Sequence, residues 1–420
     1  MPHGIIEKIT NGGWGLVRSD EGVVFLNYVL PGEKVAYRVK DRARGILWGE
    51  LLDVLTPSGH RIQPPCPYFG QCGGCVFQHI DYPFQEQIKR QILLDDLKRI
   101  GHYEPGSAPP DIIKSPPYHN RIRARMKAQK KENPAEPEDG RIGFIRKGTN
   151  TVIPINRCLL FPDPVNRFLE KWNTLEKPPF FFQMDIFMNR DNQKVYIHLS
   201  HPPYPGHEAE AEAEADEEAK MLKRFPEITF SWSGNDDVGV SALNIKGWTY
   251  FVSPTAFFQV NPFQWENMLD TVESYLEPCD TIIDLYSGVG FFIPLLKKYA
   301  KKVIGVESYG YASDLARRAF GGSGASGSEF LRIPVEKFNF PRADIVVVDP
   351  PRSGLSKYVL NGILKKRFPK IIYISCSSAT FSRDLKALGE NGYRLEALKA
   401  FDLFPQTPHL ETIGLFKIGG

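Results

Sequence analysis

Four short apolar runs in the second half of the chain restrict its fold more than any other feature: Thr281–Leu285, Lys302–Val306, Asp344–Val348 and Ile371–Ser375. Runs this rich in β-branched residues read as strands of a buried parallel sheet, with helices between them at Phe291–Ala300 and from about Phe381. Ligands of open α/β sheets bind beyond the carboxyl ends of the strands, so the residues found there matter most. The first run opens into Tyr286-Ser287-Gly288-Val289-Gly290, and the second ends on Glu307. Glycines let the backbone pass close beneath a nucleoside, and an acid closing the next strand can bind ribose hydroxyls. Ile293 stands where a dinucleotide fingerprint carries its third glycine, which argues against NAD. The third run ends in Asp349-Pro350-Pro351-Arg352, whose prolines fix the loop that projects Asp349.

The fourth run ends at Ser375-Cys376, and Thr380 can cap the helix that follows. A cysteine between a strand end and a helix N-terminus sits in positive backbone potential, which favours its thiolate and lowers its pKa. Taken alone, Cys376 reads equally as a small buried hydrophobe. Glu411 closes the segment Phe401–Glu411, FDLFPQTPHLE, just before a last strand at Thr412–Ile418. An acid in that place is usually a surface residue, and its pairing with Cys376 is what gives it interest. Upstream, Phe257-Phe258-Gln259-Val260-Asn261 precedes a helical run at Gln264–Tyr275.

The first half of the chain differs in kind. Residues 1–55 mix glycines with short alternating runs, as in four or five strands of a small barrel of the oligonucleotide-binding type. Lys40, Arg42 and Arg44, with Trp14, Tyr28 and Trp48, suit a surface for single-stranded nucleic acid, although aromatics also fill barrel cores. Cys66, Cys72 and Cys75 follow in a C-x5-C-x2-C pattern whose glycines supply sharp turns. Three cysteines this close can wrap one metal centre, and Cys158 is the natural fourth ligand. Spacing alone does not separate a zinc site from an iron–sulfur cluster.

An amphipathic helix is predicted at Pro83–Ile100, followed by a proline-rich linker at 101–117. In Tyr118–Lys130 the cations Arg121, Arg123, Arg125 and Lys127 alternate with apolar residues, putting four positive charges on one strand face suited to phosphate. Further strands are expected at 141–154, 180–199 and 230–244, with a short helix at 165–175. The run His207–Ala219 holds seven acids, and without them the net charge of +3 becomes +10, which suits a polyanionic partner. No apolar run approaches the roughly 20 residues needed to span a bilayer, and the first residues lack a signal pattern, so a cytoplasmic protein is expected.

FFQVN, DLYSGVG, DPPRSGL, SCSSATFSRD and DLFPQTPHLE stand in the order and spacing of the RNA uracil-C5 methyltransferases, which modify 23S ribosomal RNA and tRNA. The chain resembles the branch of that family with an N-terminal TRAM domain and an iron–sulfur cluster. The resemblance implies a multidomain fold: a TRAM-like, OB-like β-barrel over 1–58, a central α+β iron–sulfur domain over 59–245, and a C-terminal α/β class I, Rossmann-like methyltransferase domain over 246–420. It implies a [4Fe–4S] cluster on Cys66, Cys72, Cys75 and Cys158. It also implies that S-adenosylmethionine is held by Gln259, Tyr286, Gly288, Gly290, Glu307 and Asp349, with Cys376 as nucleophile and Glu411 as base. RNA is the implied partner, 23S ribosomal RNA before tRNA, and no protein partner is implied. Tyr286 replaces the first loop glycine of class I methyltransferases, Ser287 the family's usual cysteine, and Pro334 stands near the expected adenine contact. The rival readings are an RNA cytosine-C5 methyltransferase, against which FPQTPHLE speaks, and an idle RNA-binding iron–sulfur protein, against which the intact Cys376 and Glu411 speak.

Overall fold

The computed structural model of the chain describes residues 2–43, 45–106, 110–128, 140–175, 183–200, 220–221, 223–232, 239–321 and 327–419. The acidic run at 207–219, Arg44 and nearly all of the 131–140 loop lie outside the described residues. No helix among the described residues is long and apolar enough to cross a membrane.

The N-terminal region is rich in β structure. Strands β1 (His3–Ile5), β2 (Lys8–Thr10), β3 (Trp14–Ser19), β4 (Gly22–Leu26), β5 (Lys34–Ala43) and β6 (Ile46–Thr56) form one sheet in the order β1-β5-β6-β4-β3-β2. Its core is Ile6, Val17, Val24, Leu26, Val35 and Tyr37, the inward positions of the alternating runs. Trp14 and Trp48 meet edge to face at 4.6 Å, with Phe25 beside Trp48, and all three stay half-exposed. Tyr28 turns away from them and packs on Phe69 and His79. At the surface of this sheet Lys40 pairs with Glu50 and Arg42 with Glu21.

Helix α1 (Tyr82–Arg99) starts where Asp81 accepts from the Phe84 amide, with Pro83 in its first turn. Although α1 belongs by sequence to the central region, its Leu93 and Leu97 pack with Phe381 and Leu385 of the C-terminal half. The short β7 (Ile112–Ile113) that follows also joins the C-terminal sheet. A second sheet, in the order β10-β9-β8-β11-β12-β13, is built from β8 (Arg123–Ala128), β9 (Ile142–Ile145), β10 (Val152–Pro154), β11 (Gln183–Met188), β12 (Val195–Ser200) and β13 (Ile228–Trp232). Helix α2 (Asp163–Asn173) covers it through Val165, Phe168, Leu169 and Trp172.

The apolar face of β8 is buried as its alternation requires, but its cationic face is not a free phosphate surface. Arg123 is buried and donates to the carbonyls of Ser253, Pro254 and Ala256, fixing the turn before FFQVN. Arg125 pairs with Asp185 at 2.8 Å, Lys127 donates to Gln183, and Arg121 points among the cysteines. Period-two alternation gives the side a residue faces, not what waits on that side.

A hairpin, β14 (Ser241–Ile245) and β15 (Trp248–Val252), and helix α3 (Trp265–Glu273) lead into the α/β part. There β16 (Cys279–Leu285), α4 (Ile293–Leu296), β17 (Ala300–Glu307), α5 (Gly310–Phe320), β18 (Gly327–Arg332), β19 (Ile345–Val348), α6 (Lys357–Lys366), β20 (Lys370–Ser375), α7 (Ser378–Glu390), β21 (Tyr393–Phe401) and β22 (Glu411–Ile418) follow one another. The sheet order is β18-β17-β16-β19-β20-β22-β21-β7, with β16 to β20 parallel and β22 antiparallel to both neighbours. The strand order reverses between β16 and β19, which makes their carboxyl ends a ligand-binding crevice. The helix expected over 291–300 is only α4. Cys279 donates to the Tyr299 carbonyl at 2.8 Å, and this pairing draws the end of the run into the sheet.

Candidate active site and cysteine cavity

The loop after β16 turns sharply through left-handed backbone at Tyr286 (φ 62°), Gly288 (φ 53°) and Gly290 (φ 83°). A side chain at Gly290 would press on Ile293, Ala316 and Phe320 at 3.2–3.3 Å, so only glycine lets α4 and α5 close on the loop. Tyr286 occupies a conformation that a glycine would adopt without strain, which costs roughly 1–2 kcal/mol. The outlier falls on the crevice, as strained residues at ligand sites tend to do. Glu307 accepts from the Gly288 amide at 3.0 Å and from the Tyr309 amide at 2.7 Å, tying the ends of β16 and β17 together. Across the switch point, Gln259 donates to Asp349 at 3.3 Å. The six residues expected to hold a donor thus stand near the carboxyl ends of neighbouring strands, at the ends of β16, β17 and β19 and in FFQVN, with Gly288 bonded to Glu307 and Gln259 to Asp349.

Cys376 and Glu411 meet through strand register. Ser375 lies opposite Thr412 in the β20–β22 pair, so the next residues outward, Cys376 and Glu411, face each other. Thr412 reinforces the register by donating to the Ser375 carbonyl at 3.2 Å. Cys376 remains half-exposed while Glu411 is buried. The N-cap is Ser377 rather than Thr380, and α7 begins at Ser378.

The expected lowering of the Cys376 pKa is not what the free site produces. Burial, and then the charge of Glu411, push the thiol up to about 12, against an opposing pull from Arg352. Ser377 caps the helix, accepting from the Thr380 amide at 3.4 Å. Glu411 is itself held well above the usual carboxylate range by burial and by Asp349, with Arg352 opposing. Burial raises Asp349 to about 7. Asp284, whose two carboxylate oxygens have no partner among the described residues, is raised by burial, then by Asp349 and Glu307. The crevice therefore gathers buried acids with little cationic compensation, and a bound cation would relieve them.

Cys66, Cys72, Cys75 and Cys158 line a second cavity, of about 230 Å³, together with Arg121 and Arg125. Burial raises Cys75 to about 12 and Cys158 to about 11, and the neighbouring cysteines add to both shifts. Arg121 is a compensating cation beside Cys158, its own pKa lowered by burial. No three His, Cys, Asp or Glu among the described residues are gathered closely enough to hold one metal ion.

Two groups central to this region escaped the sequence reading. Lys89, in α1, is fully buried and bonds Asp402 at 2.5 Å and the Phe404 carbonyl at 3.0 Å. Asp402 also accepts from the Tyr82 hydroxyl at 2.7 Å. Asp402 was visible within FDLFPQTPHLE, but Lys89 reads as one more polar residue of an amphipathic helix.

A family model described as tRNA (Uracil-5-)-methyltransferase matches residues 324–418. An uncharacterized RNA methyltransferase of Aquifex aeolicus is 30% identical over 434 residues, covering 98% of this chain and 97% of its own length. Another, from Thermosynechococcus vestitus, is 29% identical over 98% of this chain and 96% of its own length. Among solved structures, the Pyrococcus abyssi tRNA (uracil-54, C5)-methyltransferase in complex with S-adenosyl-L-homocysteine matches with a TM-score of 0.71. That match covers 99% of both chains at 24% identity and shows a shared fold.

Proposed function

The chain belongs to the RNA uracil-C5 methyltransferase family, and we propose that it methylates C5 of a uridine in 23S ribosomal RNA through a transient bond from Cys376 to C6. The observation that carries this reading is the β20–β22 register that sets Cys376 against Glu411 at the edge of the donor crevice. Uracil C5 is a poor nucleophile until the ring is activated. The Cys376 thiol gives up its proton to solvent, and addition of the resulting thiolate to C6 moves the ring electrons to C5 and the carbonyl beside it. S-adenosylmethionine, when bound, supplies an electrophilic methyl group for that carbon. The C5 proton then passes to the Glu411 carboxylate. The electron pair left behind re-forms the C5–C6 double bond as the bond to sulfur breaks, which returns the Cys376 thiolate. Burial and the neighbouring Asp349 raise the proton affinity of the Glu411 carboxylate, which suits a proton acceptor. The target base must leave its stack to reach these groups.

Gln259, Tyr286, Gly288, Gly290, Glu307 and Asp349 are assigned to the donor, and the buried acids of the crevice suit its positive charge. Protonated Asp349 offers a cation nothing, and ionised Asp349 attracts it. Donor binding should therefore tighten by up to about tenfold between about pH 6 and about pH 8, as Asp349 loses its proton. Calorimetric titration at the two pH values checks this, and equal affinities would remove Asp349 from the role.

Cys66, Cys72, Cys75 and Cys158 are assigned to a [4Fe–4S] cluster. Four cysteines lining one cavity fit a group that takes them as thiolates, and Arg121 suits its negative charge. When bound, it would cross-link the segments that bear the four cysteines, and no redox step is assigned to it. We assign 1–58 to a TRAM-like RNA-binding barrel, 59–245 to the iron–sulfur region and 246–420 to the methyltransferase domain. The absence of disulfides among the six cysteines fits a cytoplasmic enzyme.

A tRNA substrate is the second reading, favoured by the description of the matching family model. The test is a map of 5-methyluridine in ribosomal and transfer RNA from cells lacking the protein. Loss at a uridine of 23S ribosomal RNA is expected. Loss in tRNA alone would move the substrate to the second reading, and an unchanged map would overturn both.

A further inference from the structure

The segment Asp402–Leu410, which leads Glu411 into β22, is held from outside its own sheet. The Gln406 carbonyl accepts from the backbone amides of Val76 at 3.0 Å and Phe77 at 3.1 Å, the two residues directly after Cys75. To present that carbonyl, Gln406 adopts a left-handed φ of 66°, a region unfavourable for any residue with a side chain. Its side chain is buried, accepting from Gln85 of α1 at 3.0 Å and donating to the Pro117 carbonyl at 3.3 Å. One residue thus joins the cysteine-bearing segment, α1 and the segment that delivers Glu411. Cys376 is supported differently, by β20 and by the Ser377 cap of α7. The donor-facing residues lie on other elements again. Loss of the Gln406 side chain removes the bonds to Gln85 and to the Pro117 carbonyl while the backbone carbonyl stays on Val76 and Phe77, and should disturb Glu411 while sparing both the thiol and the donor crevice.

We propose that Gln406 is a positioning residue for removal of the C5 proton, its side chain locking the Glu411 segment to α1 and its backbone carbonyl locking it to the cysteine-bearing segment, so that an intact four-cysteine site aims the base. This rests on the assignment of Cys376 and Glu411 above. The step affected is transfer of the C5 proton to the Glu411 carboxylate, with re-formation of the ring double bond and expulsion of the Cys376 thiolate. Without it, methylated RNA stays bonded to the protein.

The test compares wild type, Gln406→Ala and Glu411→Gln, each isolated with iron and sulfide in its cysteine site. Each is incubated with substrate RNA and S-adenosylmethionine, and three quantities are read: turnover, donor affinity, and RNA–protein adduct on denaturing gels. Gln406→Ala should lose about 10- to 100-fold in turnover, keep its donor affinity and accumulate adduct, as Glu411→Gln does. Wild-type adduct levels in Gln406→Ala, or loss of adduct and methylation together, would overturn the proposal while leaving the base assignment standing. Absence of adduct in Glu411→Gln would overturn that assignment and the proposal with it. A second measurement needs no variant: hydrogen exchange of wild type before and after chelation of the iron. Amides between Leu403 and Leu410 should exchange at least about tenfold faster once the site is emptied. Unchanged exchange there would overturn the coupling to the cysteine site.

Discussion

Replacing Cys376 with alanine should abolish methyl transfer, by on the order of 10⁴-fold or more, because without addition at C6 nothing makes C5 nucleophilic. Binding of RNA and donor should persist, since the contacts assigned to them lie on other strands. The fold should also persist, because Cys376 is half-exposed and sits after the last hydrogen-bonded pair of β20. Labelled methyl incorporation into substrate RNA, measured beside donor affinity, checks both halves of the expectation. Incorporation by the variant within tenfold of wild type would remove Cys376 as nucleophile.

Lys89→Ala should produce a large loss of stability from a residue with no expected contact to substrate. Its ammonium and the Asp402 carboxylate form an ion pair with both side chains at 0% exposure. Burying two charges is expensive, so the pair itself adds little stability. Removing one partner strands the other, at about 3–5 kcal/mol. The Phe404 carbonyl loses a donor as well. Chemical denaturation of variant and wild type should show that loss. The double replacement Lys89→Met with Asp402→Leu should recover much of it, since Tyr82 keeps its bond to the Ser115 carbonyl at 2.7 Å. A single variant as stable as wild type would show that the pair is not isolated from water.

The strands of the catalytic half were legible because each is an apolar run of ordinary length between turn signals. Thr281–Leu285, Lys302–Val306 and Ile371–Ser375 all lie within observed strands. The register that opposes Cys376 and Glu411 was not legible, since no local pattern records which residue of β22 faces which residue of β20. Long-range electrostatics were also beyond reach. Position at a helix start argued for a thiolate at Cys376, whereas the buried Glu411 brought in from 35 residues away opposes it. The same limit explains Arg123, whose alternation with apolar neighbours is real but whose partners, the carbonyls of residues 253–256, are distant in sequence.

The two-residue strand β7 pairs with Ala400 and Phe401 along the outer border of the eight-stranded sheet. Beside it, Leu93 and Leu97 cover the apolar flank of α7. A catalytic half excised at residue 246 would therefore carry a bare hydrogen-bonding border next to an uncovered greasy flank, the combination through which chains stack on one another. The stretch 82–113 is thus physically part of the methyl-transferring core, although it precedes that core by more than 130 residues in the chain.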